Sequence, residues 1–162
     1  MQFRWFAILT FVSIALVVAA NPSETATKDI KERQPPDLWA DVLRGTGGVD
    51  FGPYLSNLLK VVHAEWYNRI PVEARRPLQK KGRVYIRILI LPNGKVEYMQ
   101  ISNPSGEDAF DRAAWYAITK SSPFPPLPTE FSGPHLALRL RFYYNSKPGD
   151  YPHSQIDDLG MR

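Results

Sequence analysis

The sequence predicts an α+β fold: a three-stranded antiparallel sheet, formed by a hairpin and a C-terminal strand, with two helices packed on one face. Three observations predict it. Val84, Ile86, Ile88 and Ile90 alternate with Tyr85, Arg87, Leu89 and Leu91, and a second alternating run, Val96–Ser102, follows Pro92-Asn93-Gly94-Lys95. Two period-2 runs split by Asn-Gly are the strongest short-range hairpin signal. Phe51–Ile70 and Glu107–Ser121 instead repeat their apolar residues at spacings of three and four, as amphipathic helices do. His135–Tyr144 returns to alternation, with Leu136, Leu138, Leu140 and Phe142 on one side and Ala137, Arg139, Arg141 and Tyr143 on the other.

Composition bounds the rest. The chain has 162 residues, 44% of them apolar, which is enough for one domain with a packed core plus extensions. Lys and Arg number 20 against 16 Asp and Glu, a balance too slight to imply a nucleic-acid partner. There is no cysteine, so disulfides, thiolate chemistry, cysteine-bound metals and a lipidated cysteine are excluded. An exported domain of this kind is held together by packing alone.

Met1–Arg4 is short and basic, Phe6–Ala20 is apolar apart from Thr10 and Ser13, and the run ends in Val18-Ala19-Ala20. This describes a secretory signal cleaved after Ala20, or an N-terminal anchor in the inner membrane if it is retained. Asn21–Asp50 is polar and carries a Pro-Pro pair, so it reads as a linker, with one helical turn around Leu38–Leu43. Residues 51–145 form the domain, and 146–162 read as a loose polar tail.

The first helix carries Tyr54, Leu55, Leu58, Leu59, Val62, Trp66 and Ile70 as its stripe, with Asp50 as a cap, Pro53 in the first turn and Pro71 as the stop. Arg75, Arg76, Lys80, Lys81 and Arg83 then form a cationic run without an acid, read as a solvated loop or a patch for an anionic partner. A two-residue Asn93-Gly94 turn pairs Leu91 with Val96, Leu89 with Tyr98, Ile88 with Met99 and Ile86 with Ile101. A three-residue Pro-Asn-Gly loop would set Ile86 beside Gln100 and spoil the apolar face, so the shorter turn is expected. The second helix packs through Phe110, Ala113, Ala114, Ala117 and Ile118, with Glu107, Asp108 and Asp111 at its positive end. Pro123–Pro128 cannot be helix or central strand, and reads as a stiff crossover that pins Phe124 and Leu127 into the core.

Catalytic chemistry is hard to find. His63 and Glu65 stand two apart and do not share a helical face, and His135 and His153 lack acidic neighbours at ligand spacing. No metalloprotease, nucleophile-elbow or phosphate-loop motif occurs. Ser105 reads as a helix cap, and Asp108 with Asp111 as first-turn acids, rather than as reacting groups. The chain is therefore not expected to be an enzyme or to need a cofactor. What remains is surface. Tyr85, Arg87, Arg139, Arg141 and Tyr143 are of the types enriched at protein interfaces, and with Leu140 on the closing strand they form the expected partner-binding set. An open sheet edge would bind an extended peptide through backbone alone.

The order Trp66…Ile70-Pro71, Gly82-Arg83-Val84…Pro92-Asn93-Gly94-Lys95-Val96, Ser105-Gly106…Phe110-Asp111-Arg112-Ala113-Ala114…Ala117-Ile118 and Pro123-Phe124-Pro125-Pro126-Leu127-Pro128 resembles the C-terminal domain shared by the TonB and TolA proteins. The closing Leu138–Tyr144 strand fits as well. The resemblance implies a periplasmic domain that binds envelope proteins, an outer-membrane receptor or a periplasmic partner, often by strand addition. It also implies a possible membrane anchor and motor complex, and possible homodimers. The linker is short beside the long spacers of those transducers, and the apolar segment lacks the histidine of TonB's anchor. The expectation is thus a binding domain first, and a complete energy transducer for outer-membrane transport second.

Overall fold

The structure is a computed structural model, and it describes residues 37–44 and 46–150. The expected leader or anchor with Ala20, most of the linker, and the tail beyond residue 150 with His153 lie outside the described residues.

The elements follow as β1 (Leu38–Val42), α1 (Gly52–Tyr67), β2 (Gly82–Ile90), β3 (Val96–Asn103), α2 (Asp108–Ser121) and β4 (Leu136–Tyr144). The expected class holds, two helices with an antiparallel sheet, but the sheet has four strands in the order β1-β4-β2-β3. The extra strand is Leu38–Val42, where one helical turn was expected. Leu38 pairs with Phe142 and Val42 with Leu138, and Leu38 is fully buried. Leu38, Ala40 and Val42 do alternate with Trp39 and Asp41; the docking of Leu38 under α1 decides the strand.

Both helices cover the face made by Val84, Ile86, Ile88 and Ile90 of β2 and Leu136, Leu138, Leu140 and Phe142 of β4. From α1 come Leu55, Leu58, Leu59, Val62 and Trp66, and from α2 Phe110, Ala113, Ala114, Ala117 and Ile118. The helical stripes are those the spacing predicts, except that Tyr54 is only partly buried and Ile70 lies past the end of α1 at Tyr67. The Trp66 indole N–H donates to the Tyr144 hydroxyl at 2.6 Å, which donates to the Phe110 carbonyl at 2.8 Å. The Tyr144 ring stacks on Phe110 and meets Trp66 edge-on. This chain of bonds satisfies the polar atoms of two large buried side chains and ties α1, β4 and α2 together. Burial pushes the Tyr144 hydroxyl well above its ordinary value, and the nearby Asp111 carboxylate adds to this against the Trp66 bond.

The hairpin departs from the expected turn yet keeps the expected core. Leu91 N–H bonds the Lys95 carbonyl and Gly94 N–H bonds the Leu91 carbonyl, so the loop is the three-residue Pro92-Asn93-Gly94. A register shift between Leu89 and Ile90 then leaves Glu97 as an extra residue on β3, and this restores Ile88↔Met99 and Ile86↔Ile101. Gly94 has φ +83°, and a Cβ there would lie 1.9 Å from the Phe124 carbonyl oxygen. Phe124 N–H bonds Gly94 O and Leu127 N–H bonds Pro92 O, so the tip is clamped to the proline-rich crossover. That contact demands the left-handed residue, and the three-residue loop supplies it. Phe124 and Leu127 are buried, as the crossover reading expects.

Candidate functional site

β3 is the outer strand beside β2, and among the described residues no strand pairs with its far edge. A second register shift, between Tyr85 and Ile86, leaves Ser102 unpaired on β3, and its hydroxyl donates to Tyr85 O at 3.2 Å. Tyr98–Ile101 is the regular stretch between the two irregularities. Here β3 exposes Tyr98 and Gln100 on one face, their side chains hydrogen-bonded at 2.9 Å, and half-buries Met99 and Ile101 on the helix side. Its row of backbone donors and acceptors faces outward, which is what a strand-adding partner needs.

α2 lies beside that edge. It starts just after β3 ends, and its exit reaches the hairpin tip through Phe124, so it runs antiparallel to β3. Between them lies a groove of about 340 Å³, lined by Ile101, Asp108, Asp111, Arg112, Trp115 and Tyr116. Asp111 accepts from Ser105 N–H at 2.9 Å and Ser105 Oγ at 2.7 Å, which fixes the turn before α2. Ser105 is not the helix cap expected of it: the cap position is Glu107, and the Ser105 hydroxyl, two residues earlier, accepts from Glu107 N–H at 3.1 Å and so shapes the turn that leads into α2. Asp108 and Arg112 are one helical turn apart, both exposed, and neither forms an ion pair among the described residues.

The expected partner-binding residues lie elsewhere. Tyr85, Arg87, Arg139, Arg141 and Tyr143 come together on the face of β2 and β4 opposite the helices, Arg87 directly across from Arg139. Arg141 bonds Asp41 of β1 at 2.5 Å, and the Arg83 guanidinium lies 5.4 Å from the Tyr85 ring centre. Two corrections follow. Leu140 is fully buried under the helices, and β4 is paired on both sides, so the closing strand is not an edge. Tyr85 and Tyr143 are 4% and 1% exposed with their hydroxyls 3.4 Å apart, so they are packing residues rather than open contacts. Burial and the Tyr85 bond push the Tyr143 hydroxyl well up, against the opposing charge of Arg141.

The cationic run is likewise partly absorbed. Arg83 is 7% exposed, Lys80 pairs with Glu107 at 2.7 Å, and Arg75 Nε donates to Ile70 O at 2.9 Å. His63 bonds Asp37, which the sequence spacing could not reveal because Asp37 precedes β1. A larger cavity, about 610 Å³, lies beside Asp37, Trp66, Arg75, Tyr144 and Asn145. Its polar groups serve the fold: Asp37 holds His63, Arg75 holds Ile70 O, and Asn145 donates to Ala74 O and Lys80 O. The Tyr54 hydroxyl donates to Pro125 O, and burial pushes it up to about 12. Among the described residues no three acidic or histidine side chains meet as a metal site.

Comparison with known families matches residues 52–142, more than half of the chain, to the model described as TonB C terminal. The chain belongs to the TonB C-terminal family. The match begins at α1 and ends within β4, so it encloses the hairpin, α2 and the proline crossover and leaves β1 outside. No curated protein and no solved structure matches the chain. Membership of the TonB C-terminal family carries a TonB-like role in protein interaction at the cell envelope, in a family of non-enzymatic interaction domains.

Proposed function

We propose that this TonB-type domain works in the periplasm and captures an extended segment of an envelope protein as an added strand on β3. The observation that supports this is the open outer edge at Tyr98–Ile101, on a sheet whose closing strand is occupied on both sides. Strand addition draws on backbone hydrogen bonds, which explains a binding protein without catalytic motifs. The opposite face has a lesser part: Arg87 and Arg139, side by side on β2 and β4, add positive charge that steers acidic regions of the partner toward the domain, while Arg141 is held by Asp41. The leader reading of Phe6–Ala20 supports export.

Because the chain has no cysteine, one can be placed at will. A thiol-reactive photocrosslinker on Gln100→Cys should capture outer-membrane receptors in intact cells, and the same probe on Lys60→Cys, on the exposed side of α1, should not. Equal capture from both positions, or none from Gln100→Cys, would contradict the reading.

The second reading, an energy transducer anchored in the inner membrane and coupled to a motor complex, draws on the apolarity of Phe6–Ala20, a run shorter than the roughly 20 residues that a spanning helix needs. It requires that segment to stay attached. N-terminal sequencing of the mature protein separates the two: a chain starting at Asn21 rules the transducer out.

A further inference from the structure

We infer that the groove between β3 and α2 selects which strand is accepted: a segment carrying a lysine or arginine followed, two residues later, by a large apolar side chain. The inference rests on strand addition at β3 and specifies its partner. An incoming strand places every second side chain on the helix side, about 6.8 Å apart along its length. Residues four apart on α2 advance about 6 Å. A strand along the β3 edge therefore stays in step with α2, one side chain per turn. The first turn, carrying Asp108 and Asp111, opens the series, and Trp115, four residues beyond Asp111, forms with Ile101 the apolar wall one turn further along.

The chemistry of each position follows from what lines it. Trp115 and Ile101 are half-buried and already packed against the core, so an apolar side chain laid on them removes their remaining surface from water. Asp108 is exposed and without an ion pair among the described residues, and Asp111, though bonded to Ser105, adds a second negative charge. Two carboxylates against the single guanidinium of Arg112 leave this end of the groove negative, and a cationic side chain complements it. Glu97, the bulged residue, adds no positive charge at the far end.

The order of the two residues follows from direction. Every pairing in the sheet is antiparallel, and an antiparallel partner is slightly more stable per residue. A strand antiparallel to β3 runs parallel to α2, so it passes Asp108 before Trp115. The cation must then precede the apolar residue.

The test uses the full chain and fluorescently labelled nonapeptides, with binding read by anisotropy. The sequence Thr-Val-Thr-Lys-Thr-Phe-Thr-Val-Thr should bind at least tenfold more tightly than its Lys→Glu form, its Phe→Ala form, and the form with Lys and Phe exchanged. Asp108→Lys should invert the preference between the Lys and Glu peptides. Asp108 is exposed at a helix start and lies outside the core, and circular dichroism confirms that the variant is folded. Equal binding of all four peptides, with β3 amides protected from exchange, would overturn the selection and leave strand addition standing. Binding of none would overturn both.

Discussion

β4 and β3 are the two strands that flank β2, and they are built for opposite purposes. β4 is nine residues long, bonded on both sides, and its helix-side residues Leu136, Leu138, Leu140 and Phe142 are at most 2% exposed. β3 is bonded on one side, interrupted by Glu97 and Ser102, and buries no residue completely. Alternation of apolar residues reports which face of a strand is buried. It does not report whether the strand is an edge, because that depends on a segment elsewhere in the chain. Here five residues, Leu38–Val42, turn β4 from an edge into an interior strand and leave β3 as the open border beside α2.

The contrast predicts effects of graded size. Leu140→Ala should cost about 2–5 kcal/mol in urea unfolding, the range for a buried leucine, while Gln100→Ala on β3 should stay within about 0.5 kcal/mol. Comparable costs would erase the distinction between the strands. Leu38→Ala should cost about 2 kcal/mol or more, since Leu38 is fully buried; a residue in a mere linker would cost nothing.

The buried tyrosines give a pH dependence. The raised Tyr144 hydroxyl stays neutral in the folded state while the unfolded chain ionises near the ordinary value of 10. Its contribution is complete below pH 10 and is lost as pH rises above it, by at most about 1.4 kcal/mol per pH unit for each such tyrosine. Tyr144→Phe should make that alkaline loss shallower. It should also cost about 1–3 kcal/mol at neutral pH, by leaving the Trp66 indole N–H without its acceptor. An unchanged alkaline profile would count against the buried Trp66–Tyr144–Phe110 joint. Asp108→Asn should also cost little stability, under about 1 kcal/mol from the lost helix-dipole interaction, with a clear loss of the lysine preference in peptide binding.

Much of this architecture was legible in the residues. The stripes of both helices, the Ile88↔Met99 and Ile86↔Ile101 pairs and the buried Phe124 and Leu127 follow from periodicity and from proline chemistry. The turn was misjudged for a physical reason. A three-residue loop spoils the core register only if the strands run without a bulge, and the bulge at Glu97 has no composition of its own to announce it. β1 was missed because Leu-Trp-Ala-Asp-Val is short, and the apolar Trp39 blurs its alternation. The partner-binding set was drawn from residue types, arginine and tyrosine, and these lie together on the second face. The open edge is a property of backbone pairing, which residue type does not encode, and the groove depends on how α2 returns along β3.

Amide hydrogen exchange on the full chain, with and without the Lys-Thr-Phe nonapeptide, tests the central claim most directly. The account predicts fast exchange within Tyr98–Ile101 in the free protein, slow exchange throughout β4, and protection gained on binding only along β3. Protection gained in β1 or β4, with β3 unchanged, would contradict it.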